Sequence, residues 1–284
     1  MNAAARRVFR FAPSPNGFLH LGHAYSTLLI FELARECGGR FLLRIEDIDL
    51  ARARREYEAA IYEDLAWLGL EWERPARRQS EHFEDYAKAL ERLEALGLLY
   101  PCACTRSDIA RHAAGDGPRD PDGAPLYPGT CREKPRLPVR DALRQGGVAL
   151  RLDMGKALTL APVGLAWREF GAGEIRAHPE RWGDVVLARK DTPASYHLAV
   201  VMDDALQGVT DVVRGEDLYW ATGLHRLLQQ LLGLPAPDYR HHELLLDAQG
   251  EKLSKSRLSK TLRDLRAEGA TPERVRALAG FSTI

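Results

Sequence analysis

The stretch VFRFAPSPNGFLHLGHA, residues 8–24, decides the fold expected of this chain. Residues 8–12 are predicted to form a first strand, and a turn rich in Pro and Gly follows at 13–17. After the turn, apolar side chains recur at helical spacing from residue 21 to residue 29. A strand, a tight turn and a helix in this order predict the start of a parallel sheet with helical crossovers.

Two histidines three residues apart, His20 and His23, lie where this helix begins. Imidazoles at that spacing can face one phosphate group, toward which the first N–H groups of the helix also point. Gly22 lets the backbone approach a nucleotide closely. We therefore predict that His20, Gly22 and His23 bind ATP.

A second cationic motif, KLSKS, occupies residues 252–256 and contains Lys252 and Lys255. A loop with two ammonium groups can close over departing pyrophosphate. Together with His20 and His23, these lysines indicate an enzyme that consumes ATP. The four side chains are the predicted catalytic residues.

Patterns of strand and helix continue along the chain. Strands are predicted at 40–45, 196–202 and 210–213, and helices at 57–68, 83–93 and 222–232. They predict an α/β protein with a doubly wound parallel Rossmann-type sheet, in which functional side chains lie at the carboxyl ends of the strands.

An insertion interrupts this alternation. Pro, Gly, Asp and Arg crowd residues 115–138, a composition too irregular for layers of sheet and helix. The predicted domains are 1–100, the first half of the catalytic sheet; 101–190, the insertion; 191–246, the second half of the sheet; and 247–284, the KLSKS loop with a short helical extension.

The composition narrows the class of protein. Forty basic residues balance forty acidic ones among 284, which argues against a general positive coat for nucleic acids. The sequence shows neither an apolar run near the length of a membrane span nor a secretory signal at its start, so we expect a cytoplasmic protein without a membrane partner. Basic residues concentrate in 251–276, where a solvated helix surface and contact with an RNA backbone are both open.

Three cysteines, Cys102, Cys104 and Cys131, cluster in the insertion. In a cytoplasmic chain this spacing favours a metal over a disulfide, and a closed site with four ligands would hold a structural Zn²⁺. The fourth ligand is not a cysteine. Because imidazole is a common zinc ligand, His112 is a candidate.

Five segments of the chain resemble, in order, the catalytic domain of glutamyl-tRNA synthetases, which belong to the class I aminoacyl-tRNA synthetases. They are RFAPSPNGFLHLGHA, RIEDID, YPCACTRSDI, SYHLAVVMDDALQGVTDVVRGEDL and GEKLSKS. The resemblance covers nearly the whole chain and is weakest in the middle of the insertion. It implies ATP-dependent activation of L-glutamate to glutamyl-adenylate, Mg²⁺ accompanying ATP, and Tyr127 as the fourth zinc ligand in place of His112.

A site for glutamate needs fixed cations for the side-chain carboxylate and an acid for the ammonium group. By resemblance, Arg10, Tyr196 and Arg214 hold the carboxylate, and Ser14 and Glu46 lie near the amino end. The complete predicted glutamate site comprises Arg10, Phe11, Ala12, Pro13, Ser14, Glu46, Tyr196 and Arg214.

Glutamyl-tRNA synthetases continue well beyond the KLSKS motif, whereas this chain ends 28 residues after Ser256. It thereby resembles the truncated glutamyl-queuosine tRNA(Asp) synthetases, which attach glutamate to the queuosine base in the anticodon of tRNA(Asp). The expected partners are ATP, L-glutamate and tRNA(Asp) carrying queuosine, with the protein acting as a monomer. A synthetase that charges the 3′ end of tRNA(Glu) and an idle RNA-binding module are the alternatives. Trp167 and Trp182 are candidate platforms for stacking on bases.

Overall fold

The protein is described by a computed structural model over residues 6–112, 117–245 and 260–281. In chain order, its strands are β1 (Val8–Phe11), β2 (Arg40–Ile45), β3 (Glu73–Arg78), β4 (Leu99–Cys102), β5 (Ala149–Leu152), β6 (Ala166–Glu169), β7 (Gly173–Arg176), β8 (Val186–Ala188), β9 (Asp211–Gly215) and β10 (Asp238–His242). Its α-helices are α1 (Leu21–Glu36), α2 (Arg55–Trp67), α3 (Phe83–Ala95), α4 (Arg106–His112), α5 (Val139–Gln145), α6 (Met154–Leu160), α7 (Tyr196–Leu206), α8 (Ala221–Leu232), α9 (Leu262–Ala267) and α10 (Pro272–Leu278). Short 3-10 helices cover Gln79–Glu81, Pro179–Trp182 and Glu216–Leu218.

The chain folds into two compact units. The first contains Met1–Glu81, Gly208–Tyr219 and Pro237–Ile284, and the second contains His82–Gln207 and Trp220–Ala236. The second unit is thus larger than the insertion that the sequence predicts at 101–190, because α3, α7 and α8 pack together with the inserted segment.

The first unit is built on parallel strands in the order β3-β2-β1-β9-β10. The chain runs outward from β1 to β3 and then returns to the other side of β1, so the strand order reverses between β1 and β9. This reversal is a topological switch point, where ligands bind in open α/β sheets. The predicted α/β fold with a parallel Rossmann-type sheet is confirmed.

The core of the first unit lies between this sheet and the helices that cover it. Every residue of β1 is buried, and α1 contributes Ala24, Leu28 and Ile30 to the same cluster. The C-terminal helices join that core through Leu262 of α9 and Val275 of α10. The helices near the end of the sequence are therefore part of the unit that carries α1.

The second unit contains an antiparallel sheet in the order β4-β5-β8 and an antiparallel hairpin of β6 and β7. Helices α3, α7 and α8 pack against one another, and the hydroxyl of Tyr86 donates to the carboxylate of Asp203 across 2.9 Å. Among the described residues, no helix combines the length and apolarity that crossing a bilayer requires.

The predicted strand at 196–202 is wrong, because this segment is helix α7. The hydroxyl of Ser195 accepts the N–H of Leu198 and caps the helix N-terminus. Residues 198–204 are all buried, and the first five of them are apolar, so the sequence shows a short apolar run instead of one apolar stripe. Such a run does not distinguish a buried strand from a buried helix.

The proposed roles of Trp167 and Trp182 as exposed stacking platforms are also wrong. Their exposed fractions are 4% and 7%. The indole of Trp167 donates to the carboxylate of Glu169, and that of Trp182 donates to the carbonyl of Trp220. Both rings are core residues whose polar edge is satisfied internally.

Candidate active site and metal centre

The N-terminus of α1 is capped by the two motif histidines. His20 is the N-cap residue, and its Nδ1 accepts the N–H of Gly22 at 3.1 Å. The N–H of His20 in turn donates to Nδ1 of His23 at 3.2 Å. The two ring centroids lie 3.9 Å apart, so the predicted pair is brought together at the helix N-terminus.

These contacts determine the protonation state of both rings. Burial lowers the pKa of His20, and burial together with the neighbouring His20 lowers the pKa of His23 to about 3. Both imidazoles are therefore neutral near pH 7. Because each Nδ1 accepts a backbone N–H, the ring proton of each resides on Nε2. The pair can thus offer two Nε2–H donors to a phosphate without adding positive charge.

Gly22 is required by the close packing of the cap. A Cβ atom at this position would lie 3.0 Å from Cε1 and 3.1 Å from Nδ1 of His20. The ring of His20 would have to move away from the helix N-terminus to make room. The requirement for glycine here therefore comes from the ring of His20, and the predicted contact of Gly22 with ATP remains a prediction.

The KLSKS motif, with Lys252 and Lys255, lies outside the described residues. The description resumes at residue 260. There Thr261 forms a β-bridge with His20, and the N–H of Leu262 donates to the carbonyl of Leu19 at 2.7 Å. Lys255 precedes Thr261 by six residues.

Two buried arginines lie on the strands that flank the switch point. Arg10 on β1 and Arg214 on β9 have exposed fractions of 4% and 6%. The register of the two strands aligns Phe9 with Asp211, so alternation along the strands places Arg10 and Arg214 on the same face of the sheet. Two guanidinium groups with little access to water favour an anionic ligand.

Arg214 is held from several directions. Its Nε donates to Nε2 of His241 at 3.2 Å, its Nη2 donates to the carbonyl of Leu218 at 3.1 Å, and its guanidinium lies over the ring of Tyr239. The sequence analysis missed His241. A histidine within residues 238–242 could have indicated a functional side chain on a strand, but the sequence analysis did not predict a strand there.

Glu46 directly follows β2 and is fixed through both its backbone and its side chain. Its N–H donates to the carbonyl of Pro13 at 3.0 Å, and its carboxylate accepts from Nη2 of Arg44 at 3.1 Å. The loop that contains the exposed Ser14 is held at its other side, where Arg54 N–H donates to the carbonyl of Pro15. Ser14 and Glu46 are therefore neighbours through the backbone, as the predicted amino-group site requires.

Arg44 was also missed by the sequence analysis. It is fully buried and lies within the apolar strand β2, next to Glu46 in the charged stretch that follows. A charged residue in an otherwise apolar strand is an available signal for such a positioning role. Of the remaining predicted residues in this loop, Phe11 and Pro13 are buried and Ala12 is half-buried.

Tyr196 lies in the second unit, at the first residue of α7. Its ring packs against His197 and His225, with centroid distances of 5.4 and 5.8 Å. Those two histidines share a hydrogen bond of 3.1 Å between Nδ1 of His197 and Nε2 of His225. The orientation of Tyr196 is thus supported by a pair of residues that the sequence analysis did not identify.

The three cysteines of the insertion converge. The sulfur atoms of Cys102, Cys104 and Cys131 all lie within 4.8 Å of one another, and we call them the sulfur cluster. The oxygen of Tyr127 lies 3.6 Å from Sγ of Cys104 and accepts the N–H of Cys131 at 2.9 Å. His112 lies elsewhere: it is exposed, and its ring N–H donates to the carbonyl of Asp108.

The electrostatics of the cluster favour a metal. Burial raises the pKa of the Cys131 thiol, but hydrogen bonds from Tyr127, the Ala103 N–H and the other thiols outweigh it and lower that pKa to about 6. Burial is also the main cause that raises the pKa of Tyr127. Three converging sulfurs with a phenol oxygen form a donor set that suits Zn²⁺. Within the described residues, the group that could hold a metal consists of these cysteines.

The basic residues near the C-terminus are largely engaged within the protein. Arg266 and Arg276 form ion pairs with Glu63 and Glu32, at 3.2 and 2.5 Å. Lys260 pairs with Glu268 at 2.6 Å. These contacts favour the solvated helix surface over an RNA grip for the described part of residues 251–276.

Comparison with known proteins identifies the family of this chain. Residues 7–281 match the family model "tRNA synthetases class I (E and Q), catalytic domain". The chain belongs to this family of class I aminoacyl-tRNA synthetases, and it is a ligase of that class.

Individual relatives indicate which members of the family this chain resembles. The chain is 48% identical to the glutamyl-Q tRNA(Asp) synthetase of Rhodobacter capsulatus, over 96% of this chain and 100% of the relative. It is 42% identical to the protein of the same name from Symbiobacterium thermophilum, over 94% of this chain and 83% of the relative. The resemblance to the truncated synthetases is therefore confirmed.

Full-length glutamate ligases are also similar. The chain is 36% identical to the glutamate–tRNA ligase of Aquifex aeolicus, over 93% of this chain and 54% of the relative. A crystal structure of the glutamate tRNA ligase from Elizabethkingia meningosepticum, in complex with its amino acid, superposes with a TM-score of 0.69 at 27% identity. That match covers 93% of this chain and 53% of the ligase, so the chain spans about half the length of that enzyme.

Proposed function

We propose that this enzyme activates L-glutamate with ATP and transfers the glutamate to the queuosine base in the anticodon of tRNA(Asp). The observation that carries the proposal is the identity of 41–48% to several glutamyl-Q tRNA(Asp) synthetases, against 36–38% to glutamate–tRNA ligases. Among the residues proposed for binding and activation, Arg10, Arg214, Glu46, His20 and His23 lie in the first unit.

Glutamate would bind at the switch point of the parallel sheet. The buried guanidinium groups of Arg10 and Arg214 suit its side-chain carboxylate, and Tyr196 is proposed as a further ligand of that group. The carboxylate of Glu46, held by Arg44, suits the ammonium group beside Ser14. Removing one partner of a buried, hydrogen-bonded charge pair of this type costs about 2–5 kcal/mol.

Activation would begin when an oxygen of the α-carboxylate of glutamate attacks the α-phosphorus of ATP. The bond from that phosphorus to the bridging oxygen breaks, and pyrophosphate leaves with the electron pair. The Nε2–H groups of His20 and His23 would donate to phosphate oxygens as their charge develops, and Lys252 and Lys255 would neutralise the pyrophosphate. Mg²⁺ bound with ATP supplies further neutralisation of the phosphates.

Transfer would follow without a covalent enzyme intermediate. A hydroxyl oxygen on the cyclopentene ring of queuosine attacks the carbonyl carbon of glutamyl-adenylate, an ester bond forms and AMP leaves. The hydroxyl proton is lost in the same step, and the phosphate of AMP is a sufficient acceptor. Because the substrate is a tRNA, we propose that the reaction takes place in the cytoplasm and that a single copy of the chain carries it out.

The sulfur cluster and Tyr127 fit one structural Zn²⁺. The three thiols and the phenol oxygen already converge, and the low pKa of Cys131 favours the thiolate that a metal needs. Bound zinc would supply cross-linking between β4 and the loop at 127–131, with no part in the chemistry of glutamate.

The experiment is a two-stage assay. Glutamate-dependent exchange of pyrophosphate into ATP is measured first without RNA. Labelled glutamate is then offered with tRNA(Asp) that contains queuosine, with tRNA(Asp) that lacks it, and with tRNA(Glu). We expect exchange without RNA, and transfer only to queuosine-containing tRNA(Asp).

The other outcomes separate the alternatives. Transfer to tRNA(Glu) would favour a conventional glutamyl-tRNA synthetase, and loss of exchange under all conditions would favour an idle RNA-binding module. Lys255→Ala is the matched variant: it is expected to slow adenylate formation far more than it weakens glutamate binding. Equal rates for the variant and the wild type would contradict the role of Lys255.

A further inference from the structure

Within the described part of the chain, a buried arginine beside the sulfur cluster has no acidic partner of its own. Arg151 has an exposed fraction of 9%, and its Nη1 donates to the backbone carbonyl of Asp184 at 2.7 Å. Among the described residues, no carboxylate lies within ion-pair distance of this guanidinium, and its Nε has no hydrogen-bond acceptor. A buried cation is normally paired, because taking it out of water is costly.

The side chain of Asp184, whose backbone carbonyl Arg151 contacts, is already committed to other groups. The carboxylate of Asp184 accepts from the hydroxyl of Tyr100, from Nε and Nη2 of Arg132, and from the N–H of Met154. One carboxylate therefore serves Arg132, while Arg151 contacts only the backbone of the same residue.

The contact that Arg151 makes instead is with Tyr127. Its guanidinium carbon lies 3.9 Å from the centroid of the tyrosine ring, the distance of a close cation–π contact. The same tyrosine directs its oxygen toward Cys104 and the backbone of Cys131. Arg151 lies on β5, the central strand of its sheet, where it is opposite Tyr100 on β4 and Val186 on β8. A residue in a central strand is held rigidly enough to fix the ring that it covers.

We propose that Arg151 is a positioning residue of the metal centre, which holds Tyr127 as the fourth ligand and offsets the negative charge of its oxygen. This inference rests on the proposed zinc site. Three thiolates and one phenolate outweigh the charge of a divalent cation and leave the centre anionic. A guanidinium over the tyrosine ring supplies the opposite charge inside the protein, while its planar shape keeps the ring in place. Arg151 touches neither the metal nor any substrate group.

The test measures zinc affinity by competition with a chromophoric chelator. Arg151→Met is expected to weaken zinc binding about 10- to 100-fold, the usual effect of removing an outer-shell partner of a metal ligand. In a Tyr127→Phe background, the same substitution should change the affinity less than about threefold, because no phenolate remains to be positioned. Arg136→Met is the matched control, since Arg136 donates to the carbonyl of Leu99 in the same sheet and should leave the affinity unchanged.

A second readout separates positioning from folding. In the cobalt-substituted protein, Arg151→Met should keep the thiolate charge-transfer intensity of the wild type while its d–d bands shift to those of Tyr127→Phe. If Arg151→Met does not fold, Arg151→Lys keeps a cation on β5 and should retain more affinity than Arg151→Gln.

Three results would overturn the inference. They are a loss of affinity below threefold in Arg151→Met, an equal loss with and without Tyr127, or a wild-type protein that takes up no zinc. Each of these leaves glutamate activation and transfer untouched, so a failure here is distinct from a failure of the proposed function.

Discussion

Replacing His20 with Asn separates the two roles that the structure gives to this histidine. Its Nδ1 caps α1 by accepting the N–H of Gly22, and its Nε2–H is the proposed donor to the nucleotide phosphates. The side-chain oxygen of Asn can accept the same N–H, since Asn is among the preferred N-cap residues. His20→Asn therefore keeps the cap and loses the donor, whereas His20→Ala loses both.

The magnitudes follow from these contacts. Losing one donor to the charge that develops in the transition state costs about 3–4 kcal/mol, a decrease of roughly 10²- to 10³-fold in rate. Losing an N-cap costs about 1 kcal/mol of the free energy of unfolding. We expect both variants to slow glutamate-dependent pyrophosphate exchange by the larger factor, and only His20→Ala to be measurably less stable in urea.

Thr271→Ala is the control for the loss of a cap alone. Thr271 caps α10 by accepting the N–H of Arg274, and it has no part in the proposed chemistry. This variant should lose about 1 kcal/mol of stability and keep the wild-type exchange rate. If His20→Asn retains exchange within about threefold of the wild type, the assignment of Nε2–H as a phosphate donor is refuted.

Three further predictions follow from the buried charges and the thiols. Burial raises the pKa of Asp64 from its ordinary 3.8 to about 6. Between these two pH values the native state binds more protons than the unfolded chain, so the free energy of unfolding falls as the pH rises. The total fall is about 3 kcal/mol at most. Asp64→Asn should abolish this fall in urea titrations between pH 4 and pH 7, and a fall of undiminished size would contradict the burial of an ionised carboxylate. Arg214→Met should raise the KM for glutamate by roughly 30-fold or more, as expected for loss of about 2–5 kcal/mol, with the KM for ATP unchanged; an equal rise in both would indicate damage to the whole site. Cys102→Ser should lower the zinc content measured by elemental analysis and the thermal stability of the second unit, and an unchanged stoichiometry would remove the metal site.

Local signals were sufficient for much of the first unit. The strand predicted at 40–45 coincides with β2, because the apolar residues 41–43 and 45 lie between Gly39 and the charged Glu46. The histidine pair at the start of α1 was also predictable, since it depends on residues three apart in the sequence. Contacts of this kind depend only on residues that are close together in the sequence.

Tertiary packing determined the rest. Helix α7 was mistaken for a strand because burial on every side removes the periodicity of its apolar residues. The contacts of Glu46 and Arg151 depend on partners that are distant in the sequence: the N–H of Glu46 donates to the carbonyl of Pro13, and the guanidinium of Arg151 lies over the ring of Tyr127. The exposure of Trp182 was equally unpredictable, because its partner Trp220 is distant in the sequence.

The central claim concerns the nucleotide that receives glutamate. The most direct measurement is mass spectrometry of the nucleosides from tRNA(Asp) after incubation with the enzyme, ATP and isotope-labelled glutamate. The account predicts that the queuosine nucleoside gains the mass of one labelled glutamyl group, while the 3′-terminal adenosine remains unmodified. Labelled glutamate on the terminal adenosine, with queuosine unchanged, would contradict it.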